Sequence, residues 1–135
     1  DHDLAGVSAG MKNWYGVIHN PNKYHDTNCD PYVADVVRTP AIADRLRLTV
    51  LDGIRGQCDR GPAFHPEGSF ALGRVAVSAD PVAEDVRAWE VTDAKRRRRR
   101  LPSRAEAGRP PRFLATAAGH GLGVAEADEI ERVST

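Results

Sequence analysis

The sequence has little of several features that would assign a protein class at once. Only two of its 135 residues are cysteines, so the chain cannot by itself form a four-cysteine zinc or iron–sulfur site. Its 19 basic and 19 acidic residues give a formal net charge of zero, which argues against a general binder of polyanions. No apolar run approaches the roughly 18 residues that a membrane-spanning helix needs. With 41% hydrophobic and 28% charged residues, the composition instead indicates an ordinary globular domain.

The chain length and its first residues predict the domain organisation. A length of 135 residues fits one domain. The chain begins at Asp1 without a recognisable signal peptide, and residues 4–10 read like the end of a strand and the turn after it. No earlier strand is there to pair with this one. We therefore expect residues 1–135 to form a single domain that is the C-terminal fragment of a longer α/β domain.

Hydrophobic spacing and capping residues predict alternating helices and strands. Ser8 can cap a helix that runs to about Ile18, and Asp80-Pro81 is a cap followed by proline at the first helical position. The remaining predicted elements are a helix from Pro31 to before Pro40, strands at 46–51 and 73–78, a short helix at 112–118 and a short strand at 130–133. Strands separated by helices favour parallel pairing. The expected fold is α/β, with an open, mostly parallel sheet flanked by helices and incomplete at its N-terminus.

Acidic residues follow both of the clearer predicted strands. In open parallel sheets, ligands bind beyond the C-terminal ends of the strands, so these residues would share one rim. The metal candidates are Asp52, Asp80 and Asp85, which with His25 would suit a divalent cation. Each also has a structural interpretation: Asp52 as a turn cap, Asp80 as a helix cap and Asp85 as a salt-bridge partner.

A second set of polar residues would bind a ligand at the same rim. Lys12 and Asn13, near a helix start, suit a small anionic group. The ligand-binding candidates are Lys12, Asn13, His25, Asp26 and Ser78. A solvated lysine and a surface histidine are the alternatives for Lys12 and His25.

Two further features have more than one interpretation. Cys29 and Cys58 would form a disulfide if the protein is exported, or would otherwise be two ordinary thiols. The basic run at residues 95–100 suits a solvated helix end, where cations interact well with the helix dipole. Binding of nucleic acid by this run is the less favoured alternative.

Several motifs resemble one known family over nearly the whole chain. The segment from Gly6 to Gly16, with Lys12-Asn13 at its centre, resembles a glycine-rich segment of domain of unknown function family 362. Ser78-Ala79-Asp80-Pro81-Val82-Ala83-Glu84-Asp85 resembles the family's Ser-x-Asp-Pro-Val-Ala-x-Asp signature. The likeness continues through His25-Asp26, Cys29-Asp30-Pro31, Leu51-Asp52, Gly61-Pro62, residues 110–114 and Gly121-Leu122-Gly123.

The resemblance implies a C-terminal part of a larger domain in a family without an agreed activity. Some members carry ferredoxin-like iron–sulfur modules, and many with this cysteine pattern look like proteins exported by twin-arginine signals. We therefore expect a soluble protein, exported to the periplasm or cytoplasmic, whose domain binds a metal or an anion in a redox-linked enzyme. The alternative is a non-catalytic binding module or a partner subunit of an iron–sulfur redox protein.

Overall fold

A computed structural model describes residues 1–133 of the chain, which combine short helices with one pair of strands. The α-helices are α1 (Tyr32–Val37), α2 (Pro40–Ala43), α3 (Pro81–Arg98) and α4 (Phe113–Gly119), and the strands are β1 (Thr49–Gln57) and β2 (Ser69–Ser78). Short 3-10 helices span Met11–Val17, Pro21–Tyr24, Asp26–Cys29 and Pro66–Gly68. The expected mixture of helix and strand is confirmed.

The two strands form an antiparallel ribbon. Thr49 pairs with Ser78 at one end and Gln57 with Ser69 at the other, with an irregularity between Gly53 and Arg55. The expectation of a mostly parallel sheet is therefore wrong. Parallel neighbours need a crossover connection, usually a helix, whereas residues 58–68 between these strands contain only a short 3-10 helix.

Helix α3 begins where the sequence predicts and lies against both strands. Asp80 caps it, because one carboxylate oxygen accepts hydrogen bonds of 2.8 Å from the N–H groups of Val82 and Ala83. Pro81 occupies the first helical position, where no N–H donor is needed. Local cap chemistry thus fixes the start of the longest helix in the described chain.

The hydrophobic core lies among helices and not within the ribbon. Fully buried side chains from the N-terminal segment, α1, α3 and α4 meet there, including Met11, Val33, Val82 and Phe113. The predicted helix at 112–118 is confirmed as α4, whereas residues 130–133 have no regular structure and the strand expected there is wrong. Four apolar side chains of the ribbon, those of Val50, Ile54, Val75 and Val77, lie outside this core and are exposed.

Candidate functional site

Asp85 anchors the N-terminal loop to helix α3. Its side chain is fully buried and accepts hydrogen bonds from three successive backbone N–H groups, those of Ala9 (3.1 Å), Gly10 (3.1 Å) and Met11 (2.7 Å). Burial raises the pKa of Asp85 to about 6, while the three N–H donors act in the opposite direction. Both oxygens of the carboxylate thus already accept hydrogen bonds from the backbone.

The same contacts correct the expected start of the first helix. Ser8 makes no side-chain cap, and the segment expected as a helix from Ser8 is a 3-10 helix that begins at Met11. Because Asp85 takes the N–H groups that a capping side chain would otherwise satisfy, the loop before Met11 is held from outside the helix. Lys12, the next residue, is positioned by this anchor.

The other two proposed metal ligands have separate structural partners. Besides capping α3, Asp80 accepts a 2.8 Å hydrogen bond from the N–H of Val124 through its second carboxylate oxygen. Ser78 bonds to the backbone of Asp80, its hydroxyl accepting from the N–H at 3.0 Å and donating to the carbonyl at 2.9 Å. Asp52 lies within β1 opposite Val75, exposed, and accepts a 2.9 Å hydrogen bond from the N–H of Ile54.

These positions remove the geometric basis of the predicted rim. Both acid-bearing strand ends would reach one edge only in a parallel sheet, and β1 and β2 run in opposite directions. Within residues 1–133, no group of three or more histidine, cysteine or acidic side chains could hold a metal ion. Asp52 therefore closes a local turn, Asp80 caps helix α3, and Asp85 anchors the N-terminal loop.

Lys12 and His25 come together beneath the loop that contains His25. The Lys12 ammonium lies 3.2 Å from Nε2 of His25, and Nδ1 of the same ring lies 3.0 Å from the carbonyl oxygen of Pro21. Since a carbonyl can only accept, Nδ1–H donates to Pro21, and Nε2 of the neutral ring accepts from Lys12. The arrangement fixes the tautomer of His25 and gives the lysine one neutral partner.

Tyr15 and a second histidine, His2, complete this cluster, which we call the Lys12 cluster: His2, Lys12, Tyr15 and His25. The His2 and His25 rings stack at 5.7 Å, and the Tyr15 ring meets His25 edge-on at 5.5 Å. The Lys12 ammonium lies 4.5 Å from the centre of the Tyr15 ring, within the range of a cation–π contact. Lysine, imidazole and phenol are thus gathered in a space with little access to water.

The charge on Lys12 has no acidic partner in the part of the chain that the structure describes. Only 9% of the residue is exposed, and this burial lowers the pKa of Lys12 below its ordinary value. Burial, together with the charge of Lys12, lowers the pKa of His2 to about 4. The imidazole of His2 is therefore neutral at neutral pH.

Sequence reasoning missed both His2 and Tyr15 as members of this cluster. Nδ1 of His2 accepts hydrogen bonds from the N–H groups of Leu4 (3.1 Å) and Ala5 (3.2 Å), which closes the first turn of the chain. Its Nε2 is consequently the protonated nitrogen and makes no hydrogen bond among the described residues. His2 directly precedes the turn at residues 3–5, and a polar residue before a turn does not by itself distinguish a cap from a ligand.

The remaining ligand candidates lie outside the Lys12 cluster. Asp26 directly follows His25 and is exposed. Asn13 lines a separate cleft of about 300 Å³ beside Trp14 and the residues that lead into β1. Although Lys12 and Asn13 are adjacent in sequence, they thus belong to different surfaces.

Both cysteines are buried free thiols, so the disulfide considered above is not formed. Cys29 lies in the core near Lys12 and Tyr15, and burial raises its pKa. Cys58 follows β1, where its Sγ donates to the carbonyl of Gly68 at 3.5 Å. The two thiols thus lie in different surroundings.

The basic run is only partly a solvated helix end. Arg96 is buried and donates to the carbonyl oxygens of Cys58 and Pro102, each at 2.6 Å, and to Asp59 at 2.9 Å. Arg99 donates to the carbonyls of Glu67 and Ser69. Two of the arginines therefore bind the end of α3 to the loop between the strands, and the exposed members of the run are Arg97, Arg98 and Arg100.

Comparison with known families gives one result. A family model described as a domain of unknown function (DUF362) matches residues 1–90, which include the Lys12 cluster and the Asp85 anchor. Comparison with curated proteins and with solved structures gave no match. None of the helices in residues 1–133 is both long and apolar enough to cross a membrane.

Proposed function

Because this chain belongs to the DUF362 family, as the resemblance in its motifs predicts, we propose that its matched region contains a binding site for a small anionic ligand at the Lys12 cluster. The observation that carries the proposal is the buried ammonium of Lys12, whose nearest hydrogen-bonding partner is a neutral imidazole. Buried charges in proteins are normally paired, because moving an unpaired charge out of water costs several kcal/mol per ion. A bound anion would supply the missing partner.

Hydrogen-bond donors support an anion over a metal. Nζ of Lys12 has N–H groups beyond the one directed at His25, and the Nε2–H of His2 has no partner in the described chain. Both are donors, and both suit carboxylate or phosphate oxygens. The acids expected to bind a cation, by contrast, already accept hydrogen bonds from backbone N–H groups.

The enzymatic form of the proposal gives His25 the proton-transfer role. The hydrogen bond from Nδ1–H to the Pro21 carbonyl orients the ring. Nε2, which faces the Lys12 ammonium, is the nitrogen that can accept a proton. A ligand that displaces the Lys12 ammonium from Nε2 would leave this nitrogen free to take a proton. The expectation of a redox-linked role rests on the family resemblance alone.

Calorimetric titration with inorganic phosphate, at constant ionic strength, tests the site. Wild type should bind phosphate saturably, and Lys12→Met should weaken binding about 10- to 100-fold, since hydrogen bonds to charged groups contribute about 1.5–3 kcal/mol each. Lys23→Met is the matched control, because Lys23 is an exposed lysine on the neighbouring 3-10 helix. It should bind as wild type does.

Imidazole resonances locate the ligand. In NMR spectra, phosphate should shift the ring signals of His2 and His25 and leave those of His19, which is exposed, in place. Absence of saturable binding at millimolar phosphate contradicts the proposal. So does equal weakening in Lys12→Met and Lys23→Met, which would indicate nonspecific attraction.

A further inference from the structure

The Lys12 side chain lies where an amine can act as a nucleophile. It is buried, and no acidic side chain of residues 1–133 forms an ion pair with it. Burial lowers the pKa of Lys12, while Cys29 acts in the opposite direction. A lysine that is removed from water without a carboxylate partner gives up its proton more easily, and the free amine is the form that attacks a carbonyl carbon.

His25 provides the acceptor for that proton. Its Nε2 lies 3.2 Å from Nζ of Lys12, and the hydrogen bond from Nδ1–H to the carbonyl of Pro21 leaves Nε2 unprotonated. This distance is that of a hydrogen bond, within which a proton can pass directly from the ammonium to the imidazole. Tyr15 is not available for the same role, because its hydroxyl donates to the carbonyl of Tyr24 at 2.7 Å.

We propose that Lys12 forms an imine with a small 2-oxo acid and that His25 transfers the protons of this reaction. The inference deepens the proposed function, because it rests on ligand binding at the same cluster and names the ligand class. It assigns Lys12 a covalent role in addition to its charge.

The reaction needs no oxidant or reductant. A proton of the Lys12 ammonium moves to Nε2 of His25, and the nitrogen lone pair forms a bond to the carbonyl carbon while the carbonyl oxygen takes the proton from His25. A second proton then passes from the nitrogen through His25 to the new hydroxyl group, which leaves as water as the C=N bond forms. One ammonium and one carbonyl compound thus give one protonated imine and one water.

The charge of the site favours a 2-oxo acid over a neutral carbonyl compound. The protonated imine carries the positive charge that the ammonium carried, so a neutral aldehyde or ketone would leave a buried cation unpaired. A 2-oxo acid brings its own carboxylate, which is bonded to the imine carbon. The Nε2–H of His2, which has no partner among the described residues, is a further donor in the cluster for that carboxylate.

Reductive trapping of the 135-residue chain with pyruvate and sodium cyanoborohydride tests the proposal. The reductant converts the imine to a stable secondary amine, and peptide mass mapping assigns the product among the three lysines, Lys12, Lys23 and Lys95. Although Lys23 is exposed, Lys12 should react at least about tenfold faster, because its desolvation leaves more of the free amine. In urea-unfolded protein, Lys12 and Lys23 should react alike.

Two comparisons test the parts assigned to the carboxylate and to His25. With acetone, which lacks the carboxylate, the ratio of Lys12 to Lys23 labelling should fall at least about tenfold, the effect of one charge-assisted hydrogen bond. His25→Gln should slow trapping at Lys12 about 100-fold, which is a modest contribution for a general base, and leave Lys23 unchanged. His19→Gln, at an exposed histidine, is the matched control and should label as wild type does.

Labelling of Lys12 that is no faster than that of Lys23 in the folded wild type overturns the proposal. An equal preference for Lys12 with pyruvate and with acetone overturns the ligand class, and unchanged trapping in His25→Gln overturns the role of His25. Saturable phosphate binding without fast trapping would leave the anion site in place and remove the nucleophile. Fast trapping without phosphate binding would support the imine and contradict the phosphate site.

Discussion

The carboxylate of Asp85 accepts a hydrogen bond from the N–H of Gly10 at 3.1 Å, across 75 residues of chain. The N–H groups on either side of Gly10 bond to the same carboxylate, so one side chain of α3 organises a whole turn of the N-terminal loop. Gly10 also packs closely, since a Cβ there would contact the methyl group of Thr49. The residue next in line after this turn is Lys12.

Replacement of Asp85 by alanine should destabilise the protein strongly. Three buried N–H groups would lose their acceptor, and each unsatisfied group costs about 1–3 kcal/mol, so a loss of about 3 kcal/mol or more is expected. Urea denaturation measures the change. Asp128→Ala, at an exposed acid, should alter the free energy of unfolding by less than about 0.5 kcal/mol. Equal midpoints for the two variants would show that the anchor contributes nothing.

The pH dependence of stability should reveal Asp85. Its pKa is about 6 in the folded protein against an ordinary value of 3.8, so between these values the folded state holds a proton that the unfolded state has lost. The contribution of Asp85 to stability therefore falls as pH rises from about 4 to 6, by about 3 kcal/mol, and is constant above that range. The difference in unfolding free energy between wild type and Asp85→Asn should follow this course. A difference that grows with pH would mean that the three N–H donors outweigh burial.

His2 should resist protonation until strongly acidic pH. Its pKa is lowered to about 4 by burial and by the charge of Lys12, and a protonated Nδ1 could no longer accept from Leu4 and Ala5. The stability linked to His2 is complete above about 6.5 and is lost as pH falls toward 4, opposite in sign to the Asp85 contribution. NMR titration of the His2 ring measures this directly. A ring that titrates near 6.5 would place His2 in solvent, outside the Lys12 cluster.

Arg96 should matter far more than its neighbour Arg97. Arg96→Ala removes three hydrogen bonds from a buried guanidinium and leaves two backbone carbonyls without their donor, so a loss of about 2–4 kcal/mol is expected. Arg97 is exposed, and Arg97→Ala should change stability by less than about 0.5 kcal/mol. Thermal and urea unfolding compare the two. Similar losses would contradict the structural role of Arg96.

Thiol titration should distinguish buried thiols from a disulfide. Cys29 and Cys58 are both buried and free, so a thiol reagent should react slowly with the folded protein and count two thiols in unfolded, unreduced protein. Burial also raises the pKa of Cys29, which leaves less of the reactive thiolate. A count of zero in the unfolded protein would restore the disulfide.

The predictions from sequence succeeded where the interactions that decide a feature lie close together in the sequence. The Asp80-Pro81 helix start was predictable because a cap and its N–H partners lie within three residues. The strand direction was not, because it depends on how residues 58–68 connect the strands. Arg96 was read as part of a solvated helix end, since its partners Cys58 and Pro102 become neighbours only after folding.

The candidate site divides in the same way. Lys12 and His25 could be named from their loop positions, and the structure brings them within 3.2 Å of each other. His2 could not be named, because nothing in the sequence directs an imidazole at residue 2 onto the ring at residue 25. The three acids were grouped by a parallel sheet that does not exist, and each instead serves the backbone nearest to it in space.

The long separation between the Asp85 carboxylate and its N–H partners also bears on the order in which the protein is made. A ribosome releases residues 9–11 well before the first turns of α3, so during synthesis the loop that carries Lys12 has no acceptor for three of its N–H groups. Until then, water must satisfy them, and the lysine is free to ionise as it would in an unfolded peptide. The Lys12 cluster can therefore acquire its buried cation only after residue 85 has emerged and folded back onto a segment made earlier, which places this site among the last parts of the matched region to form.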